Sequence, residues 1–323
     1  MKKWTEASYH RRSPGAALIF AAAALAACTG QSPRGEGGRP GGAADGIVSE
    51  GTITAALHRY VENGSSEPFE QFSITALFPR FRRSAKELVD SLVGGGVPEL
   101  YVALDQCAAP APVVQARPRR IVAAEGTAIE LVDVGDLSVE IDGRRTVLPT
   151  QTFPDLLRAI DGVTYAANDD MGVEFSPAAT YTIHSAGADE ISRFDVVLDA
   201  PEDLGEITVG GASPAEQVPT LRRGEPIEIT WEGAGGYGDE VFAKITWSNV
   251  GLPLSMDCRM RDDGRFTVPG DLTAGMRDPL ATGEAEMTIS RVRQTAFRAK
   301  GLDSGEFDFV LSTSFLVRFE TVP

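Results

Sequence analysis

The strongest alternation in the chain lies near its end. Phe307, Phe309, Leu311, Phe315, Val317 and Phe319 occupy odd positions, broken only by Thr313, while Asp308, Ser312, Ser314, Arg318 and Glu320 take even ones. A period of two sorts these residues onto opposite faces of a strand, whereas a helix would scatter them. Ile227, Ile229 and Trp231 alternate with Glu228, Thr230 and Glu232, and Val241, Ala243, Ile245 and Trp247 share one face of a following strand. Leu254, Met256, Cys258 and Met260 do the same before an Asp262-Asp263-Gly264 turn that leads to Phe266 and Val268. Upstream, the pattern predicts short strands at Leu100–Leu104, at Leu137–Ile141 before the Asp142-Gly143 turn, at Val173 and Phe175, at Tyr181 and Ile183, and at Phe194–Leu198. Short strands separated by turns predict sandwich-like β units.

Helical signals are few. Ser84-Ala85-Lys86-Glu87 reads as a capping box, Leu88, Val89, Leu92 and Val93 follow, and Gly94-Gly95-Gly96 ends the run, so a short helix is expected near 84–93. Pro154 and Gly162 bracket a second expected helix at 154–160. The resulting division is a mixed linker or helical segment over 47–97, a β-sandwich-like domain over 98–204 and an Ig-like antiparallel sandwich over 205–323. The last boundary falls near Asp203–Pro226, where Gly210-Gly211 and Ser213-Pro214 interrupt the alternation.

The N-terminus departs from this pattern. Lys2, Lys3, Arg11 and Arg12 precede the apolar run 16–27, which ends in Leu25-Ala26-Ala27-Cys28. The run is short for a membrane span and suits an export signal over 1–27. Its end reads as a lipobox, which makes Cys28 the lipidation site: acyl chains on this residue would anchor the protein to a membrane. Thr29 in place of Asp points to the outer membrane. Residues 28–46, rich in Gly and Pro, read as the lipidated Cys and its tether, about 20–25 Å across as a coil.

Composition sharpens the partner classes. The net charge is −16, and it would be −19 after loss of residues 1–27. Residues 28–120 are neutral overall, while 121–200 carry −11 and 201–323 carry −8. This acidity argues against nucleic acid as a partner. Arg80, Arg82 and Arg83 form a local basic stretch against that background, readable as lipid headgroup contact or as a solvated run pairing with acids.

Chemistry is sparse. Besides Cys28 there are two cysteines, Cys107 and Cys258, and the exported location makes a disulfide between them the natural expectation, with two buried thiols as the alternative. No metal site is expected, because His58 and His184 are far apart in sequence and no HExxH is present. A histidine triad would need the fold to bring one of these histidines beside a serine and an acid. Asp169-Asp170, Asp189-Glu190, Asp239-Glu240 and Asp262-Asp263 read as turn acids. No cofactor is expected, and calcium is the cation such loops would take.

The lipobox and Gly-rich tether, the middle unit from Val132-Asp133-Val134-Gly135-Asp136-Leu137 through Tyr181-Thr182-Ile183 to Phe194 and Ala200-Pro201, and Cys258 with Asp263-Gly264-Arg265-Phe266-Thr267-Val268-Pro269 together resemble envelope lipoproteins of myxobacterial, deltaproteobacterial type. The resemblance implies an envelope location and β architecture, and no activity. The expectation is therefore a non-enzymatic lipoprotein of the cell envelope, serving binding, adhesion or scaffolding, with an envelope protein or a glycan as partner. Exposed aromatics aligned on one sandwich face would favour the glycan. The enzyme alternative is a hydrolase using carboxylates of 98–204.

Overall fold

The computed structural model describes residues 46–62, 68–86, 89, 102–112, 129–152, 160–234, 238–249, 252–274 and 283–320. Cys28, the export signal, the tether up to residue 45 and residues 154–159 of the second expected helix lie outside the described residues. The chain is mainly β and its sheets pack as sandwiches, as the alternation predicts.

The first part of the chain forms β1 (Ile47–Val61), β2 (Phe69–Leu77), β3 (Pro79–Arg82), β4 (Gln106–Cys107), β5 (Ala111–Pro112) and β6 (Ile129–Leu131). The middle forms β7 (Leu137–Ile141), β8 (Arg144–Leu148), β9 (Thr150–Thr152), β10 (Ile160–Asn168), β11 (Thr180–Ser185) and β12 (Phe194–Asp199). The remainder forms β13 (Thr208–Val209), β14 (Thr220–Arg222), β15 (Ile227–Thr230), β16 (Glu240–Asn249), β17 (Leu252–Arg261), β18 (Arg265–Val268), the short helix α1 (Gly270–Ala274), β19 (Glu284–Phe297) and β20 (Ser304–Glu320).

A 13-stranded sheet is the spine, with β1, β20, β19, β16 and β17 side by side. Two small sheets are separate from it: β12-β11-β7-β8 and β13-β15-β18. The β19–β20 hairpin runs the length of both cores. Its Phe297, Phe307, Phe309 and Leu311 join Ile53, Leu57, Phe72, Tyr181 and Phe194 in one core. Its Ala285, Met287, Ile289, Phe315, Val317 and Phe319 join Trp231, Trp247, Met256 and Cys258 in the other. Both sets are odd-numbered on β19 and β20, so the two cores lie end to end on one face of the same hairpin. Thr313, the break in the odd series, falls between them.

Several expectations change. Residues 47–97 are not merely a linker: Ile53, Ala55, Leu57, Phe72, Ile74 and Ala76 alternate and make β1 and β2 core strands. β1 pairs with β20 in parallel, a pairing that the long intervening chain permits. Residues 83–85 form a 3-10 turn, and of the expected helix near 84–93 Lys86 and Val89 are helical among the described residues. Residues 102–105 make a bend and a turn instead of a strand, with Asp105 at φ 60° and its carboxylate accepting the Arg261 N–H. Val173–Phe175 has no ladder. Gly172 turns the chain at φ 78°, and the segment reaches the core through buried Val173 and through Phe175, which packs on Phe72 and Phe309. Ile160 begins β10 rather than ending a helix.

Candidate functional site

The predicted pairing of Cys107 with Cys258 is present as a disulfide. The two residues stand opposite each other where β4 adds to the edge strand β17, and Cys258 faces inward with Met256 and Met260. The bridge ties the 102–112 segment to the sheet. Nothing about it suggests exchange chemistry.

The seam between the two cores is the most polar part of the interior. The chain passes from one core to the other after Ala200 and before Leu204. Three arginines hold this crossing. Arg291 on β19 is fully buried; its Nη1 donates to the carbonyls of Glu202 (2.6 Å) and Asp203 (2.7 Å). Its Nη2 donates to the Glu232 carbonyl and to Asp262 Oδ1 (2.8 Å), and its Nε lies 2.7 Å from Asp262 Oδ2. Trp231 Nε1 donates to the same carboxylate at 2.7 Å. Arg293 forms a two-pronged pair with Asp239, both contacts 2.7 Å, and donates to the carbonyls of Asp199 and Ala200. Arg59 on β1 pairs with Glu70 and Asp203. A planar guanidinium suits this task, since its five donors reach several carbonyls at once. The seam is a clamp, and its groups are used up within the protein.

At least one acid of each turn pair is likewise engaged. Asp239 and Asp262 belong to the clamp, Glu240 pairs with Arg259, Glu190 with Arg80, and the Asp169 carboxylate accepts the Phe72 N–H. Among the described residues no group of three or more His, Cys, Asp or Glu is arranged to hold a metal.

His184 sits on the outer face of the four-stranded sheet, as its polar alternate position predicts. Its Nδ1 lies 2.6 Å from Asp195 Oδ1 and its Nε2 3.5 Å from Glu140 Oε2. Ser138 stands opposite it in register, but the Ser138 hydroxyl accepts a hydrogen bond from Arg145 Nε at 2.8 Å. An acid, a histidine and a serine are thus neighbours in the sheet, with the serine engaged elsewhere. His58 lies on another sheet, opposite Gln71 and Ser312.

That second location is the even-numbered face of the spine, turned away from both cores. Register places its residues in rows across β2, β1, β20, β19, β16 and β17. One row reads Gln71, His58, Ser312, Ser290, Phe242 and Arg259; the next reads Phe69, Tyr60, Ser314, Thr288, Lys244 and Asp257. Hydroxyls bond across the strands, Ser290 to Ser312 and Thr288 to Ser314, each at 2.8 Å. Tyr60 and Phe69, directly paired, are 39% and 70% exposed, and Leu316, two residues along β20 from Ser314, is 38% exposed. Two aromatic rings and an apolar side chain therefore border the half-buried hydroxyls of Ser314 and Thr288, while Ser312 and Ser290 in the next row are 5% exposed and lie beside the buried Ala56, Phe242, Val292 and Val310. Farther along the same face, Asp308 is only 3% exposed and accepts one hydrogen bond, from Gln294 Nε2 at 3.0 Å. Burial, with a smaller contribution from Glu306, pushes its carboxyl up to about 7, although the Gln294 bond works the other way.

Sequence reading finds β16, β17 and β20 of this face, but not β1, β2 and β19, and so not the face itself. Tyr60 and Phe69 come together through the β1–β2 register, and the Asn63-Gly64 pair between them is the sequence signal that could have found the pairing.

No family model matches the chain, and no curated protein matches it. Two solved structures are similar over 84% of this chain and 98% of their own: the yeast delta-COP-I mu-homology domain, and the same domain complexed with Dsl1 WxWxV peptide. Identity is 8% and 9%, and the TM-score is 0.21 in both, a likeness too slight to carry an argument about fold or function.

Proposed function

We propose that the protein is a lipid-anchored binding module of the cell envelope, held in the outer membrane through Cys28, and that its ligand is a glycan taken by the even face of the spine. The reading is non-enzymatic and needs no cofactor. One observation carries it: the exposed pair Tyr60 and Phe69 beside the half-buried hydroxyls of Ser314 and Thr288. Sugar rings present apolar C–H faces and a rim of hydroxyls. Aromatic rings stack against the first, and short hydroxyls and amides meet the second without filling the space a ring needs. Lys244, Asp257 and Arg259 of this face lie farther across the sheet, while exposed Glu286, opposite Leu316, places one carboxylate at the edge of the site, where it can accept from a sugar hydroxyl.

A glycan array probed with the purified protein tests the reading. Binding to cell-wall or exopolysaccharide fragments that is lost with Tyr60→Ala and Phe69→Ala is expected. An array without hits, or hits indifferent to both rings, would overturn it. Mass measurement of the N-terminal peptide tests the anchor independently, with acyl chains expected on Cys28.

A further inference from the structure

The end at which the described residues begin is rich in basic side chains. β1 starts at Ile47, and the carbonyl of Gly46 accepts the Arg83 N–H at 3.1 Å. On one side of β1 lie β3 and the turn that follows it, with Arg80, Arg82, Arg83 and Lys86. On the other lies the β19–β20 turn, joined to β1 where Asp303 N–H donates to the Ser49 carbonyl (2.8 Å) and Ser49 N–H donates to Asp303 Oδ2 (2.9 Å). This turn carries exposed Arg298 and Lys300. It is stitched to the Asp189–Arg193 loop, because Ser192 N–H donates to the Lys300 carbonyl and Lys300 N–H to Ser192 Oγ, each at 2.9 Å. Ser192, Arg298, Lys300 and Leu302 line a pocket at this corner.

The four segments that make this end, 46–50, 79–86, 189–193 and 298–303, hold seven basic and four acidic residues, in a chain whose net charge is −16. Three of the acids are engaged: Glu50 with Lys86, Glu190 with Arg80, and Asp303 with the Ser49 N–H. Ile47, in the middle of the group, is 70% exposed. Basic side chains around an exposed apolar residue, at the place where the tether enters, match the chemistry of an anionic bilayer surface.

We infer that this end docks on anionic lipid headgroups, so that the protein stands on the membrane with its β3 and β19–β20 turns down and the far end of β20 outward. The inference adds an orientation to the lipid-anchor reading and can fail separately from it. It extends the basic stretch at Arg80–Arg83, which the sequence shows, by residues more than a hundred positions away.

Hydrogen exchange of the purified full-length protein on vesicles decides it, with pure phosphatidylcholine compared against the same lipid containing 30% phosphatidylglycerol. Segments 79–86 and 298–303 should exchange at least fivefold more slowly on the anionic vesicles at low salt, and the difference should vanish in 0.5 M NaCl. Segment 220–225, at the other end, should not respond. The triple variant Arg83→Gln, Arg298→Gln, Lys300→Gln should lose the effect, since each exposed base contributes about fivefold to such binding. Equal exchange on both vesicles, or slowing at 220–225 instead, would overturn the docking. The mass of the N-terminal peptide reports the acyl chains, so a protein without an anchor is told apart from one that is anchored but undocked.

Discussion

The two faces of the β19–β20 hairpin treat a buried charge in opposite ways. On the core face, Arg291 is fully buried and its donors reach Asp262 and three backbone carbonyls. On the even face, Asp308 is almost as buried and has the single bond from Gln294. Removing a charge from water is tolerable when partners replace the solvent, and expensive when they do not. The first arrangement locks two cores together. The second leaves a carboxyl that resists ionisation, on the face that also presents Tyr60 and Phe69. One face is thus built for stability, and the other retains chemistry that the fold does not use.

The largest expected effect breaks the stable side. Arg291→Met leaves Asp262 buried without its main partner and should lower stability by about 3–5 kcal/mol in urea denaturation. Replacing Asp262 as well should recover part of that loss, because the orphaned charge goes with it. A double variant as unstable as the sum of the singles would show that the two groups do not act as a pair.

Opening the Cys107–Cys258 bridge comes next. The residues are 151 apart in sequence, so the chain-entropy argument sets an upper value of about 5 kcal/mol, and about 2–4 is the usual outcome. Comparing unfolding midpoints with and without reductant measures it, and identical midpoints would make the bridge irrelevant to folding.

The Asp308 side of the comparison is sharpened by pH. Its folded pKa, about 7, lies above the ordinary carboxylate value, so unfolding releases a proton in the interval between them. The stability linked to this group is complete below pH 4, declines as pH rises through 7 and then levels off. Asp308→Asn cannot ionise. It should match the parent at pH 4 and exceed it by about 2–4 kcal/mol at pH 8, as judged by chemical denaturation. An equal difference at both pH values would place the effect in packing and not in charge.

Much of this fold is legible in the sequence because period-two patterns survive any register. The odd series from Phe307 to Phe319 forms β20, and its one break, Thr313, marks the seam. The same reading applied to β19 would meet arginines at 291 and 293 among inward positions, a sequence-level sign of buried ion pairs. Some of what escapes is local, since β1 and β2 alternate on either side of Asn63-Gly64; the rest depends on pairing distant strands. The parallel contact of β1 with β20 joins segments about 250 residues apart, and no local pattern announces it. Val173 and Phe175 show the reverse error: two apolar residues at strand spacing anchor a loop, because a turn with a left-handed glycine precedes them.

The central claim is that the even face of the spine binds a glycan through its exposed rings. Its most direct test is calorimetric titration of an oligosaccharide that the array selects, with three proteins compared: the parent, Tyr60→Ala/Phe69→Ala, and Val147→Ser/Val197→Ser, which alters exposed apolar residues on the smaller sheet. The ring variant should bind at least about tenfold more weakly per ring lost, with its unfolding midpoint unchanged, while the valine variant binds like the parent. Equal weakening in both variants, or undiminished binding without the rings, would contradict the account.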